Sequence, residues 1–296
     1  MGTPKDAVDS SSICSAVCPI VSSFEATTWT VVLALGFVLV LYLPWCRGDR
    51  DKRDVILTRI ATTGLLAFFS VLGVLLRVGW RCVACTNGFE RLLYSVRGWL
   101  FSSLLTASAY LGDLAMIVVD RVPIIERLEP DRYVRIRNYV AGPILEEIVF
   151  RGVCCTICMC AFPESNLHAY STPAMLFSIS HAHHAIRLIR TTNYARRDIL
   201  ATTLANVLVT GIFGLYAGMI FTKLGGIVSA ITVHVICNCM SLPDVEGKLP
   251  TFPLVFPEPL KIDFQVLTQV PRQPPMVNAM KLSYVTDTKS PSSCYS

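Results

Sequence analysis

The chain has 296 residues, 53% of them apolar and only 16% charged, with a mean hydropathy of +0.53. A soluble globular protein carries about 25% charged residues, so this composition excludes an ordinary soluble domain and points to lipid as the solvent. The net charge of +5 is modest, and most Lys and Arg lie in short loops between apolar runs. That is a membrane-topology pattern and speaks against nucleic acid as a partner.

The first 25 residues are polar. The apolar run after them begins late and is long, so a retained anchor is expected rather than a cleaved signal peptide. A helix needs about 20 apolar residues to cross the hydrocarbon, and seven runs qualify: residues 26–45, 60–76, 100–119, 139–162, 173–189, 199–222 and 224–242. Segment 250–259 is apolar but carries four prolines. It is too short to span and is expected at the interface or against the bundle, with a short eighth span as the alternative. The expectation is an all-α, polytopic transmembrane bundle of seven to eight spans. Its parts are a polar segment 1–25, N-terminal helices and loops 26–138, a catalytic core 139–242, and a proline-rich segment with a polar tail 243–296.

Loops after the first, third and fifth spans are rich in Arg and Lys, whereas the loop between the fourth and fifth has none. The charge rule then puts the N-terminus in the lumen and the tail in the cytosol. One loop disagrees, carrying Arg77, Arg81, Arg91 and Arg97 on the luminal side. Cysteine is frequent, with 12 residues, yet no disulfide framework is implied. Cys154, Cys155, Cys158 and Cys160 crowd one span, where thiols act as small hydrophobes. The pair Cys82-x-x-Cys85 lacks a second pair and is read as unliganded.

Charges inside a span cost roughly 2.5–3.5 kcal/mol each on insertion scales and default to function. Glu146, Glu147 and Arg151 lie in the fourth span, His181 in the fifth, and His234 with Asn238 in the seventh. Counting residues from the cytosolic ends places Glu146, His181 and His234 at one depth, about 10–13 Å in. Glu147 and Arg151 are four apart and share a helix face, as do His234 and Asn238. Glu146 points about 100° away from Glu147, toward a cavity. A carboxylate (Glu146) and an imidazole (His181) suit the activation of water. His234 and Asn238 offer N–H donors to an oxyanion. Glu147 with Arg151 reads as a structural ion pair or an indirect support of the site. His183 and His184 read as non-catalytic, and Gly214-x-x-x-Gly218 as a close helix contact.

The run Glu146-Glu147-Ile148-Val149-Phe150-Arg151 is similar to the Glu-Glu-x-x-x-Arg motif of the CAAX-protease and bacteriocin-processing membrane family. Phe177-Ser178-Ile179-Ser180-His181 resembles its Phe-x-x-x-His motif, and His234-Val235-Ile236-Cys237-Asn238 its His-x-x-x-Asn motif. The flanks look like the eukaryotic, Ras-converting branch. The resemblance implies eight helices, residence in the endoplasmic reticulum membrane, and a glutamate-dependent intramembrane endopeptidase. It also implies prenylated CAAX C-termini as substrates, Ras- and Rho-like small GTPases among them, with release of the last three residues. Carried over, Glu146 and His181 would activate water, His234 and Asn238 would hold the oxyanion, and Glu147 and Arg151 would support the site. No cofactor or metal is expected. A zinc site of Glu146, His181 and His234 and a non-catalytic scaffold of the same fold are the alternatives.

Overall fold

The computed structural model describes residues 14, 17–90, 92–120 and 128–240. The tail expected over 243–296, with the candidate eighth span, lies outside the described residues. Among the described residues there is helix and no strand. In lipid each backbone N–H and C=O must find its partner inside its own segment, which helices achieve.

Helix α1 (Ser23–Leu39) is capped by Ser22, whose hydroxyl accepts the Glu25 N–H at 3.1 Å. Helix α2 (Arg53–Val78) ends at Gly79. Glu25 accepts two bonds from Arg77 at 2.5 and 2.8 Å, joining the start of α1 to the end of α2, so the two run antiparallel. Arg77 is therefore an ion-pair partner rather than a topology signal, which removes part of the charge-rule conflict. A short α3 (Trp80–Thr86) follows. The run expected as one span at 100–119 is two helices, α4 (Leu92–Ala109) and α5 (Leu111–Asp120).

Helix α6 (132–161) starts at Asp131, whose carboxylate accepts the N–H groups of Tyr133 and Val134. It is buried without interruption from Val149 to Cys158. A helix that is apolar on every side belongs at the centre of a bundle, and α6 occupies it. Helix α7 (166–191) contains a 3-10 turn at His181–His183. Helix α8 (Arg196–Ile220) leads through a π turn into α9 (Gly226–Met240). A Cβ at Gly218 would lie 2.7 Å from Tyr170 Cβ, and one at Gly214 would press on Ala174 at 3.2 Å. The small-residue pair therefore lets α8 lie against α7, as the spacing predicts.

Three stretches, Ser23–Tyr42, Arg53–Val78 and Arg196–Met240, are long and apolar enough to cross a membrane. Their outward faces are greasy. Leu65, Phe68, Phe69, Leu72 and Leu76 on α2 are exposed, as are Leu204, Leu208, Ile212 and Leu215 on α8. Stripes at helical spacing facing outward are a lipid-contacting surface, and the protein is embedded in a membrane.

The cysteine reading needs correction. Cys14 is bonded to Cys85 and Cys18 to Cys82. The second pair is Cys14-x-x-x-Cys18, hidden in the polar segment that sequence reading set aside. The chain folds back so that Cys14 and Cys18 meet α3, with Val21 buried and its N–H donated to the Cys160 carbonyl. Cys160 remains a thiol, 3.5 Å from the Cys82 sulfur. Cys154, Cys155 and Cys158 are buried and free, as expected of thiols acting as small hydrophobes.

The break between α8 and α9 is keyed into its neighbours. Gly226 has φ 69°, a left-handed value that glycine adopts without strain. A Cβ on Gly226 would lie 2.2 Å from the Asn87 carbonyl oxygen, and one on Gly98 would lie 1.2 Å from that of Leu224. Ile227 donates its N–H to the Asn87 carbonyl at 3.3 Å. Gly98→Val is expected to destabilise the fold by about 1–3 kcal/mol, as overpacked sites do, read as a lower melting temperature in detergent. Unchanged melting would mean that α4 does not touch the break.

Candidate active site

The local shape of α6 is written by two residues. Gly142 donates its N–H to the Arg137 carbonyl, five residues back, closing a π turn over Arg137–Ala141. A Cβ at Gly142 would lie 2.7 Å from that same oxygen, so only glycine permits the turn undisturbed. Pro143 comes next and has no N–H to give. The carbonyl of Asn138 thereby loses both ordinary helical donors. Asn238 of α9 supplies the missing one, its Nδ2 donating to the Asn138 oxygen at 2.9 Å. A second π stretch, Ile148–Cys155, is served similarly, with Asn87 Nδ2 donating to the Gly152 carbonyl at 3.4 Å. Such π segments recur at functional sites.

Between the two π stretches sit the charges. Glu147 is fully buried and Arg151 is 1% exposed. Arg151 Nη1 donates to Glu147 Oε1 at 2.8 Å, and Nη2 to the Gly214 carbonyl at 3.3 Å. The guanidinium also lies over the Phe177 ring, 4.6 Å from its centroid, with Phe213 at 5.7 Å. His234 Nδ1 donates to the same Glu147 oxygen at 2.7 Å, and its Nε2 faces Glu146 Oε2 at 3.7 Å. Glu146 itself is partly open, with 22% of its side chain exposed. The two glutamates thus differ: Glu147 is internal and paired, and Glu146 is partly exposed.

His181 begins the 3-10 turn of α7. Its Nδ1 lies 2.9 Å from the Phe177 carbonyl. A carbonyl only accepts, so Nδ1 carries the proton and Nε2 of the neutral ring is a free base. His183 is held likewise by the Ser180 carbonyl at 2.6 Å. Phe177 packs at 4.5 Å from the His181 ring, 6.3 Å from His234 and 5.1 Å from Phe150.

Glu146, Glu147, Arg151 and His234 thus share one cluster, with His181 joined to it through Phe177. Asn238 stands apart from them, one amide proton committed to the α6 backbone. Phe213, 4.6 Å from the His234 ring, escaped sequence reading; its place beside Gly214 on the packed face of α8 is the signal that could have found it. Glu147→Ala is expected to cost about 3–5 kcal/mol, because it strands the Arg151 charge in the interior. Thermal unfolding in detergent measures it, and a loss no greater than that of Glu146→Gln would contradict the buried pairing.

Residues 131–240 match the family described as type II CAAX prenyl endopeptidase, Rce1-like. The chain is 32% identical to the CAAX prenyl protease 2 of Saccharomyces cerevisiae over 111 residues, 36% of this chain and 35% of the yeast protein. It is 27% identical to the human CAAX prenyl protease 2 over 239 residues, 73% of this chain and 70% of that one. The probable CAAX prenyl protease 2 of Schizosaccharomyces pombe is 31% identical over 114 residues, 38% of this chain and 41% of that protein. The match to the budding-yeast protein therefore spans about a third of that protein's length. No solved structure matches the chain. Glu146, Glu147, Arg151, His181, His234 and Asn238 all lie inside residues 131–240, the segment that is similar to the Rce1-like type II CAAX prenyl endopeptidases.

Proposed function

We propose that the chain is an intramembrane endopeptidase that removes the C-terminal tripeptide from prenylated CAAX proteins. The observation that carries the chemistry is the pair of oriented imidazoles. His181 has its Nδ1 tied to the Phe177 carbonyl, which leaves Nε2 as a base. His234 has its Nδ1 tied to buried Glu147, which aims Nε2 at the space beside Glu146. In this reading Glu146 and His181 hold and deprotonate the attacking water. His234, as imidazolium, donates Nε2–H to the oxyanion, and its charge with that of Arg151 balances the two carboxylates. Asn238 has one amide proton left to assist. Glu147 and Arg151 hold His234 in place, and 139–242 is the catalytic core.

The reading carries a topology of seven crossings, made by α1, α2, α4 with α5, α6, α7, α8 and α9. Disulfides form in oxidising compartments, so the end of the bundle holding Cys14–Cys85 and Cys18–Cys82 faces the lumen of the endoplasmic reticulum. The catalytic groups then open toward the cytosol. A prenyl chain gains about 0.8 kcal/mol per buried CH₂, so the lipid enters from the bilayer while the peptide arrives from water. Ras- and Rho-like GTPases are the substrates this predicts.

Glu146→Gln and His181→Ala should each lower tripeptide release from a farnesylated CAAX peptide by about 10²–10⁴-fold while melting as the parent does. The unprenylated twin peptide should be a poor substrate. Wild-type turnover in either variant would overturn the assignment. The two free Nε2 atoms with Glu146 would also suit a zinc-held water, so activity is measured with and without a strong chelator; loss on chelation and recovery with zinc would move the site to that mechanism. Under non-reducing proteolysis, peptides carrying Cys14 with Cys85 and Cys18 with Cys82 are expected, and their absence would remove the argument for sidedness.

A further inference from the structure

Cys14, Cys18, Cys82, Cys85 and Cys160 meet at one end of the bundle. Cys14 and Cys18 lie one helical turn apart, with the Cys18 N–H donated to the Cys14 carbonyl at 2.9 Å. They are bonded to Cys85 and Cys82 of α3. Cys160, near the end of α6, is a free thiol and only 4% exposed. Its Sγ lies 3.5 Å from that of Cys82, and the Sγ atoms of Cys18, Cys82 and Cys160 all lie within 4.8 Å of one another. A disulfide sulfur carries no proton, so the Cys160 S–H is the donor and is directed at the Cys18–Cys82 bond. The backbone holds it there, because the Cys160 carbonyl accepts the N–H of Val21, three residues beyond Cys18, at 3.4 Å. Cys14, Cys18 and Cys160 also line one cavity, bordered by Met159 and Phe162. Three sulfurs that share one S–S bond and one proton can pair in three ways.

We propose that Cys18, Cys82 and Cys160 form a thiol–disulfide exchange site, in which Cys160 displaces Cys18 from Cys82. A bond between the N-terminal segment and α3 is thereby replaced by one between α3 and α6. The step balances within the chain. The Cys160 thiol gives its proton to water, and its thiolate attacks Cys82 Sγ. The Cys82–Cys160 bond forms as the Cys18–Cys82 bond breaks. Cys18 leaves as a thiolate and takes up a proton, so no oxidant or reductant is consumed. Substitution at sulfur runs along the S–S axis, whereas the three sulfurs form a triangle, so rotation of a cysteine side chain precedes attack. The cavity that Cys18 and Cys160 share gives the departing sulfur room. Cys14–Cys85 takes no part, so the N-terminal segment stays on α3 while its second link is released. The new bond fastens α3 directly to the helix that carries Glu146, Glu147 and Arg151. The exchange stands whether or not the chain is an endopeptidase.

The test treats the folded full chain in detergent with a maleimide, then maps linked and alkylated peptides after acid quench and non-reducing proteolysis. Cys18 is half-buried and Cys160 buried, so alkylation captures the released Cys18 and draws the equilibrium over. Chains alkylated at Cys18 and linked through Cys82–Cys160 should accumulate with time, even from a minor state of roughly 0.1–10%. Cys160→Ser and Cys160→Ala, each checked for unchanged melting, should abolish alkylation of Cys18. An intact Cys18–Cys82 bond throughout the time course in the parent protein overturns the proposal, with or without alkylation of Cys160. So does alkylation of Cys18 that persists undiminished in both variants, since the thiol is then freed by another route. Should both variants melt lower, the Cys82–Cys160 peptide of the parent decides alone: its accumulation upholds the exchange and its absence ends it.

Discussion

The buried pairing of Glu147 with Arg151 and His234 is the constraint around which the rest is arranged. An isolated charge in the interior would cost several kcal/mol, so each member needs partners that stay put. They come from every side: the carbonyl of Gly214 on α8, the rings of Phe177 on α7 and Phe213 on α8, and the imidazole of His234 on α9. One ion pair on the central helix thus touches all three helices that bring chemistry to it. Its stabilising value is modest, since an apolar replacement of equal volume can do as well. It ties the packing together, because its partners come from α7, α8 and α9 at once. The orientation of His234 is a by-product of that satisfaction, and this ties stability to mechanism.

The backbone of α6 shows the same economy. Gly142 and Pro143 open a π turn that strips the Asn138 carbonyl of its helical donors, and the side chain of Asn238 restores one. A carbonyl left bare in lipid would be costly. Asn238 is thereby positioned by α6 as much as it serves any reacting group. One turn away, Arg137 fastens the same stretch to the α1–α2 connection through the Arg50 carbonyl and Asp51. The start of the helix that carries both glutamates is held at two points by chain far from it in sequence.

Much of this was legible in the residues. Intramembrane charge is rare enough that Glu146, Glu147, Arg151, His181 and His234 announced themselves, and the four-residue spacing of Glu147 and Arg151 forecast their bond. The outward and inward faces of Glu146 and Glu147 followed from helix geometry alone. What escaped were contacts that depend on where the chain returns. Cys14 and Cys18 looked like residues of a loose polar segment, and nothing local says that they meet Cys85 and Cys82. Phe213 read as one more apolar residue in a greasy helix. The loss of Asn138's donors was implicit in Gly142-Pro143, but which side chain would replace them was not.

The glycines at the α8–α9 break have a consequence for the imidazole eight residues beyond. Gly226 is locked between Asn87 and the backbone that Gly98 admits, so α9 is indexed from the far end of the molecule. Slipping that index by one residue would displace His234 by about 1.5 Å and swing it through about 100°, off Glu147 altogether. The place of the His234 ring is thus set by a glycine seam at the other end of α9, in the way a clock hand is set by its spindle.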